Sequence, residues 1–266
     1  MTPQSDPALD HSPDHPHSQR TRQRLDTLRA RIARIESGRD DDNAVPARRV
    51  PLGLNDIDRH LPGGGLARGG VHEVIAGDRS AAALGFALWA ISCFAPTRPW
   101  LWCSPNGALS PYAPALDDFG LAPRRLLLAQ AAYAREVLWA AEEGLATPAL
   151  GAVLAEARTL TPVAARRLTL AARDSGVPLL LVRPEGAETA GPAATRWRIS
   201  SAPGGAWEIV LLRAGGSFPR RWRVIWRGPE GARPLPVERP HDLPFDITGS
   251  EAAGHVPAAA FLRGAA

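Results

Sequence analysis

RRVPLGLNDIDRHLPGGGLARGGVHEVIAGDRSAAALGFAL, residues 48–88, decides the fold. A glycine-rich turn, Gly63 to Gly65, and the pair Gly69-Gly70 lead into an apolar strand, Val71 to Ala76, which stops at Gly77. AAALGFALWAISCFA (81–95) then has helical composition with apolar residues on most faces, as a helix buried against a sheet requires. A glycine turn between a buried strand and a buried helix is where a phosphate-binding loop, G-x-x-x-x-G-K-[ST], is expected. Counting from Gly77, Ala82 stands at the second glycine, Ala83 at the lysine and Leu84 at the hydroxyl. Ala82 puts a methyl group where backbone must approach phosphate, Ala83 supplies no charge, and Leu84 cannot ligate magnesium. Arg79 reads as a solvated loop arginine, with anion contact at the helix N-terminus as the alternative.

Downstream, strands and helices alternate. PWLWCS (99–104), ALGAVLAE (149–156) and VPLLLVR (177–183) read as strands, and YAREVLWAAEEGL (133–145) as a helix. TPVAARRLTLAARDSG (161–176) is a second helix, with Pro162 early in it and Gly176 ending it. The alternation predicts a mainly parallel sheet flanked by helices. TRWRISSAP, WEIVLLRAGG and RRWRVIWRG, beginning at residues 195, 207 and 220, are short alternating segments, expected to be antiparallel strands extending the sheet.

Residues 1–20 are polar and proline-rich and are expected to be disordered. A helix and linker over 21–46 precede a domain over 47–228, and 229–266 are expected to form a flexible tail. In RTRQRLDTLRARIARIES (20–37), Leu25, Leu28, Ile32 and Ile35 form one narrow stripe on a charged helix. The stripe fits packing on its own domain or docking on another chain, so these four residues are partner-binding candidates.

The formal charge is +4 and the pI about 9.9, all of the positive charge coming from arginine. Between Arg196 and Arg239 nine arginines face three glutamates, and four of the eight tryptophans share the stretch. Alternation puts Arg221, Arg223 and Ile225 on one face, and Trp222, Val224 and Trp226 on a core face. Arg220, Arg221, Arg223 and Arg227 are candidates for DNA phosphate or an acidic partner, or are simply solvated. Cys93 and Cys103 are expected to be buried thiols. No apolar run reaches eighteen residues and no signal peptide opens the chain, which predicts a soluble protein with no membrane segment. No cofactor or metal site is expected.

The order of elements resembles RecA over residues 47–228. PLGLNDIDRHLPGGGLARGGVHEV (51–74) is similar to the segment leading into the RecA phosphate-loop strand, and GALSPYAPALDDFGL (107–121) to the stretch after its second core strand. GGVHEV followed by AAALGFAL without a GKT resembles the ImuA family, also described as SulA-like. RecA places its catalytic glutamate just before an Ala-Leu pair; here Asn106 precedes Gly107, Ala108 and Leu109, and an amide is no general base. The acidic residue expected at the end of the third strand is Glu156, read as a solvated or helix-capping carboxylate. The resemblance implies a RecA-like fold with a degenerate nucleotide site and a non-enzymatic role in SOS-induced, error-prone translesion synthesis. It also implies partners: an ImuB-like adaptor and an error-prone C-family DNA polymerase, with RecA and DNA as further candidates. A SulA-like inhibitor of cell division and a RecA-family ATPase with an unconventional nucleotide site are the alternatives.

Overall fold

The strand read at 71–76 forms as β3 (Val71–Ala76) and lies in the middle of the sheet, buried on both faces. A computed structural model of the protein describes residues 48–108, 111–187, 191–215, 219–226 and 232–234. In chain order its strands are β1 (Arg49–Val50), β2 (Leu66–Ala67), β3, β4 (Trp100–Pro105), β5 (Leu126–Ala131), β6 (Val153–Glu156) and β7 (Leu179–Arg183). They continue with β8 (Thr195–Ala202), β9 (Ala206–Ala214), β10 (Arg220–Trp226) and β11 (Ala232–Pro234). The helices are α1 (Asn55–Asp58), α2 (Ala82–Phe94), α3 (Ala113–Asp118), α4 (Ala134–Leu145) and α5 (Pro162–Ser175). Nine strands form one sheet in the order β11-β10-β9-β8-β3-β7-β6-β4-β5, and β1 pairs with β2 apart from it.

Strands β8, β3, β7, β6, β4 and β5 run parallel, and β9, β10 and β11 continue antiparallel. Among the three C-terminal segments expected to be antiparallel, β8 is therefore a correction: it pairs parallel with β3 before the chain reverses into β9. Two further corrections concern the ends. The strand expected over 149–156 begins at Val153, and Gly151 ahead of it lies where an added Cβ would sit 2.5 Å from Ala95 Cβ. Within the expected tail 229–266, Ala232–Pro234 pairs with Val224–Trp226, so the sheet extends past residue 228. Edge strand β5 was not anticipated, since LLLAQA has no alternation and leaves Leu127 and Leu128 exposed.

The sheet buries a core on each face. On one, α2 lays Phe86, Ile91 and Phe94 against Val74, Leu154, Trp197 and Ile209, and is covered outside by Leu52, Ile57 and Leu116. That double cover explains why α2 has no polar face, and each such side chain contributes about 1.5–3 kcal/mol of burial. Gly85 lets α2 approach β9, because a Cβ there would sit 2.7 Å from Trp207 Cζ2. On the other face, Val137 and Leu145 of α4 and Leu168 of α5 pack on Val71, Val153, Leu179 and Leu181. Helix α5 begins and ends as its sequence dictates: Thr161 Oγ1 accepts from the Ala164 N–H at 3.2 Å, Pro162 opens the first turn, and Gly176 closes it at φ 75°.

The buried polar side chains of β3 are paired. Glu73 of β3 accepts from Arg183 Nη1 at 2.9 Å and from Arg196 Nε at 2.5 Å. His72, on the same strand, has Nδ1 2.8 Å from Thr195 Oγ1 and Nε2 2.9 Å from the Ala67 carbonyl. Among the described residues no helix is long and apolar enough to cross a membrane.

Candidate functional site

Strand β3 stops at Ala76, and residues 77–81 turn the chain into α2. Gly77 is required there by β8: its N–H donates to the Ile199 carbonyl at 2.7 Å, and a Cβ would run into Ser200 Oγ and lie 3.1 Å from Arg198 Cγ. The sequence alone associates this glycine with phosphate; the fold gives it a packing reason instead.

The turn is closed by its own carboxylate. Asp78 Oδ1 accepts from the Ser80 N–H at 2.9 Å and from Ser80 Oγ at 2.5 Å. Oδ2 accepts from the Ser201 N–H and from Ser201 Oγ, both at 2.6 Å. Ser80 Oγ in turn accepts from the Ala82 N–H at 3.2 Å, at the start of α2. Burial pushes the Asp78 carboxyl up, but the side-chain bonds from Ser201 and Ser80, then their N–H groups, outweigh it and hold the pKa below the ordinary value. Two backbone donors of the turn, the Ser80 and Ala82 N–H groups, are thus directed at oxygens of the chain itself. Neither Asp78 nor Ser201 figured among the sequence candidates; their pairing spans 123 residues and leaves no local signal.

Around this turn, Ala82 and Ala83 are buried, Leu84 packs at the edge of the α2 core, and Arg79 is exposed. Asn106 is exposed in the turn after β4, its backbone N–H donating to the Ala131 carbonyl at 2.8 Å. Glu156 corrects its sequence reading: it is neither freely solvated nor a helix cap. Its Oε1 accepts from Trp102 Nε1 at 2.8 Å, and burial raises its pKa against the opposing effect of that bond. Ser104, one step from Trp102 on the same face of β4, is buried, and its Oγ has no hydrogen-bond partner among the described residues. Burial likewise pushes the Cys103 thiol up to about 12 and Cys93 to about 11. Among the described residues no group of three or more His, Cys, Asp or Glu could hold a metal ion.

The second candidate region is the face of β8–β10 turned away from α2. On β10, Trp222 and Val224 are buried in the α2 core, and Trp226 stacks on Phe119 at 4.6 Å between centroids. Arg221 and Arg223 are exposed on the opposite face, as alternation requires. Arg220 is a correction to the grouping, because it shares the parity of Trp222 and stands opposite the core residue Leu211. Arg227 and the stripe of Leu25, Leu28, Ile32 and Ile35 lie outside the described residues. Arg198 of β8, not among the candidates, is exposed on the face of Arg221: the two flank Val210 in one cross-strand row.

No protein-family model matches the chain. Among solved structures it is similar to the KaiC-like protein PH0186 of the hyperthermophilic archaeon Pyrococcus horikoshii OT3. The TM-score is 0.51 at 15% identity, covering 72% of this chain and 100% of that one. This likeness concerns the fold, which is RecA-like, with a mainly parallel sheet and antiparallel C-terminal strands. In sequence the chain is similar to Protein ImuA of Caulobacter vibrioides, from strain NA1000 / CB15N and from strain ATCC 19089 / CIP 103742 / CB 15. Each is 31% identical in an alignment 206 residues long that covers 71% of this chain and 82% of the relative. At that identity and coverage, the chain belongs to the ImuA family.

Proposed function

We propose that the protein is a non-catalytic accessory component of the ImuA/ImuB mutagenesis system, serving SOS-induced, error-prone translesion DNA synthesis. It acts in the cytoplasm by binding an ImuB-like adaptor and an error-prone C-family DNA polymerase, with RecA as a further partner. Family membership supports the system; the closed turn after β3 supports the non-catalytic part. On this reading Ala82, Ala83, Leu84 and Asn106 stand where a working site has glycine, lysine, hydroxyl and glutamate, and Asp78 takes the turn's donors.

The test uses the purified full chain. No magnesium-dependent ATP turnover above background is expected, together with direct pull-down of the adaptor encoded by the same genome. ATP hydrolysis that disappears in Arg79→Ala or Glu156→Gln overturns the non-catalytic reading. Failure to bind either the adaptor or the polymerase overturns the accessory role.

A further inference from the structure

The buried face of the sheet beyond β3 is covered by α2, while on the opposite face α4 and α5 pack over β3, β6 and β7. Among the described residues no helix lies over β8–β10 on that second face. What it presents is arginine. Arg198, Val210 and Arg221 form one cross-strand row; Ser200, Glu208 and Arg223 form the next. Strand spacing sets Arg198 and Arg221 about 10 Å apart, and Arg223 about 7 Å further along β10.

The charges on this face are not equally committed. Arg196, nearest β3, is spent on buried Glu73. Arg221 has a 3.4 Å contact with Glu208, both partly exposed, a pair of little energetic weight. Arg198 and Arg223 are exposed, and among the described residues neither has a carboxylate within ion-pair distance. Among the described residues the face carries no exposed aromatic side chain either: Trp207, Trp222 and Trp226 all turn into the α2 core.

We propose that the open β8–β10 face binds the phosphate backbone of duplex DNA through Arg198, Arg221 and Arg223. Guanidinium groups suit phosphate, and a protein interface would be expected to bring an aromatic anchor that the described residues of this face do not supply. Unpaired bases would find no ring to stack on among the described residues of the face, whereas a duplex keeps its bases stacked and offers phosphates alone. The inference extends the proposed role in DNA synthesis, and its failure is distinguishable, since adaptor binding can survive a complete absence of DNA binding.

Fluorescence anisotropy with the full chain and a labelled duplex, titrated over salt, tests it. Binding independent of sequence is expected, and the Arg198→Ala/Arg223→Ala variant should lower the magnitude of the log–log salt slope by about 2, roughly 0.9 per lost contact. Its melting temperature should match the parent, as both residues are exposed. The exposed pair Arg135→Ala/Arg166→Ala, on α4 and α5, should leave the slope unchanged. No duplex binding at low salt, an unchanged slope in the Arg198/Arg223 variant, or tighter binding of a single strand of equal length each overturns the proposal. So does binding of a polyglutamate chain that the double variant abolishes while DNA is ignored, which would assign the face to an acidic protein.

Discussion

Replacing His72 with glutamine should remove a specific part of the protein's acid sensitivity. The imidazole is fully buried between β3, β8 and β2, and stacks on Phe94 with centroids 5.7 Å apart. Its hydrogen bonds dictate a neutral tautomer. The Ala67 carbonyl can only accept, so Nε2 carries the proton; Nδ1 then accepts from the Thr195 hydroxyl, whose oxygen also receives Trp197 Nε1–H at 2.7 Å. Burial lowers the pKa from 6.5 to about 4, more than the Ala67 bond restores. A histidine held neutral in the fold binds fewer protons than it does unfolded, so its contribution is complete above pH 6.5 and is lost as pH falls toward 4. At 1.36 kcal/mol per unit the full loss is about 3 kcal/mol, of which about 2 kcal/mol falls between pH 6.5 and 5. Glutamine keeps a donor and an acceptor but does not titrate. Urea unfolding of both proteins at pH 7.5 and 5 should therefore show the stability gap between parent and His72→Gln narrowing by about 2 kcal/mol, or about 4–8 °C in Tm. A gap that stays constant, or a His72 ring resonance that titrates near 6.5 in the folded protein, refutes the reasoning.

Asp78→Ala orphans donors on Ser80 and Ser201 and should cost about 1–3 kcal/mol in urea denaturation. Because the folded carboxyl is held below its usual value, that cost should shrink as pH drops through the carboxylate range; a cost that grows with acid contradicts the assignment. Gly85→Ala places a methyl group 2.7 Å from Trp207 Cζ2 and should destabilise by about 1–3 kcal/mol with an altered near-ultraviolet tryptophan signal, whereas an unchanged spectrum and Tm would mean the helix–sheet approach is not tight. Glu73→Ala leaves Arg183 and Arg196 facing each other inside the sheet and should cost about 3–5 kcal/mol; soluble protein of parental stability would disprove the pairing.

Features whose cause is local were legible in the sequence. Thr161, Pro162 and Gly176 bracket α5 within one helix, and the alternation of Trp222, Arg223 and Val224 sorts β10 into a core face and an arginine face. The same period of two, carried one residue further back, assigns Arg220 to the core side, where the register puts it. Features whose cause is distant were not legible. Gly77 answers to Ser200, Asp78 to Ser201 and Glu156 to Trp102, and each partner reaches the site only when β8 joins β3 and β6 joins β4. Edge strand β5 escaped for a different reason, since a strand paired on one side and half-exposed needs neither alternation nor a continuous apolar run.

The closed turn bears on nucleotide binding through charge as well as space. A phosphate group seated at the start of α2 would meet the Asp78 carboxylate of the same turn, and the proposed reading leaves Ala83, without charge, at the lysine position. At about 4 Å and the effective dielectric near a protein surface, each unit pair of charges is worth on the order of 4 kcal/mol. Arg79 stands in the same turn but is exposed, where water and salt screen its reach. Of the donors at the helix N-terminus the Ala82 N–H is already taken by Ser80 Oγ, and Asp78 already receives Ser80 and Ser201. A turn tied to β8 through Asp78 and Ser201 joins β3, α2 and β8 by the chain's own groups, which suits the binding scaffold proposed above.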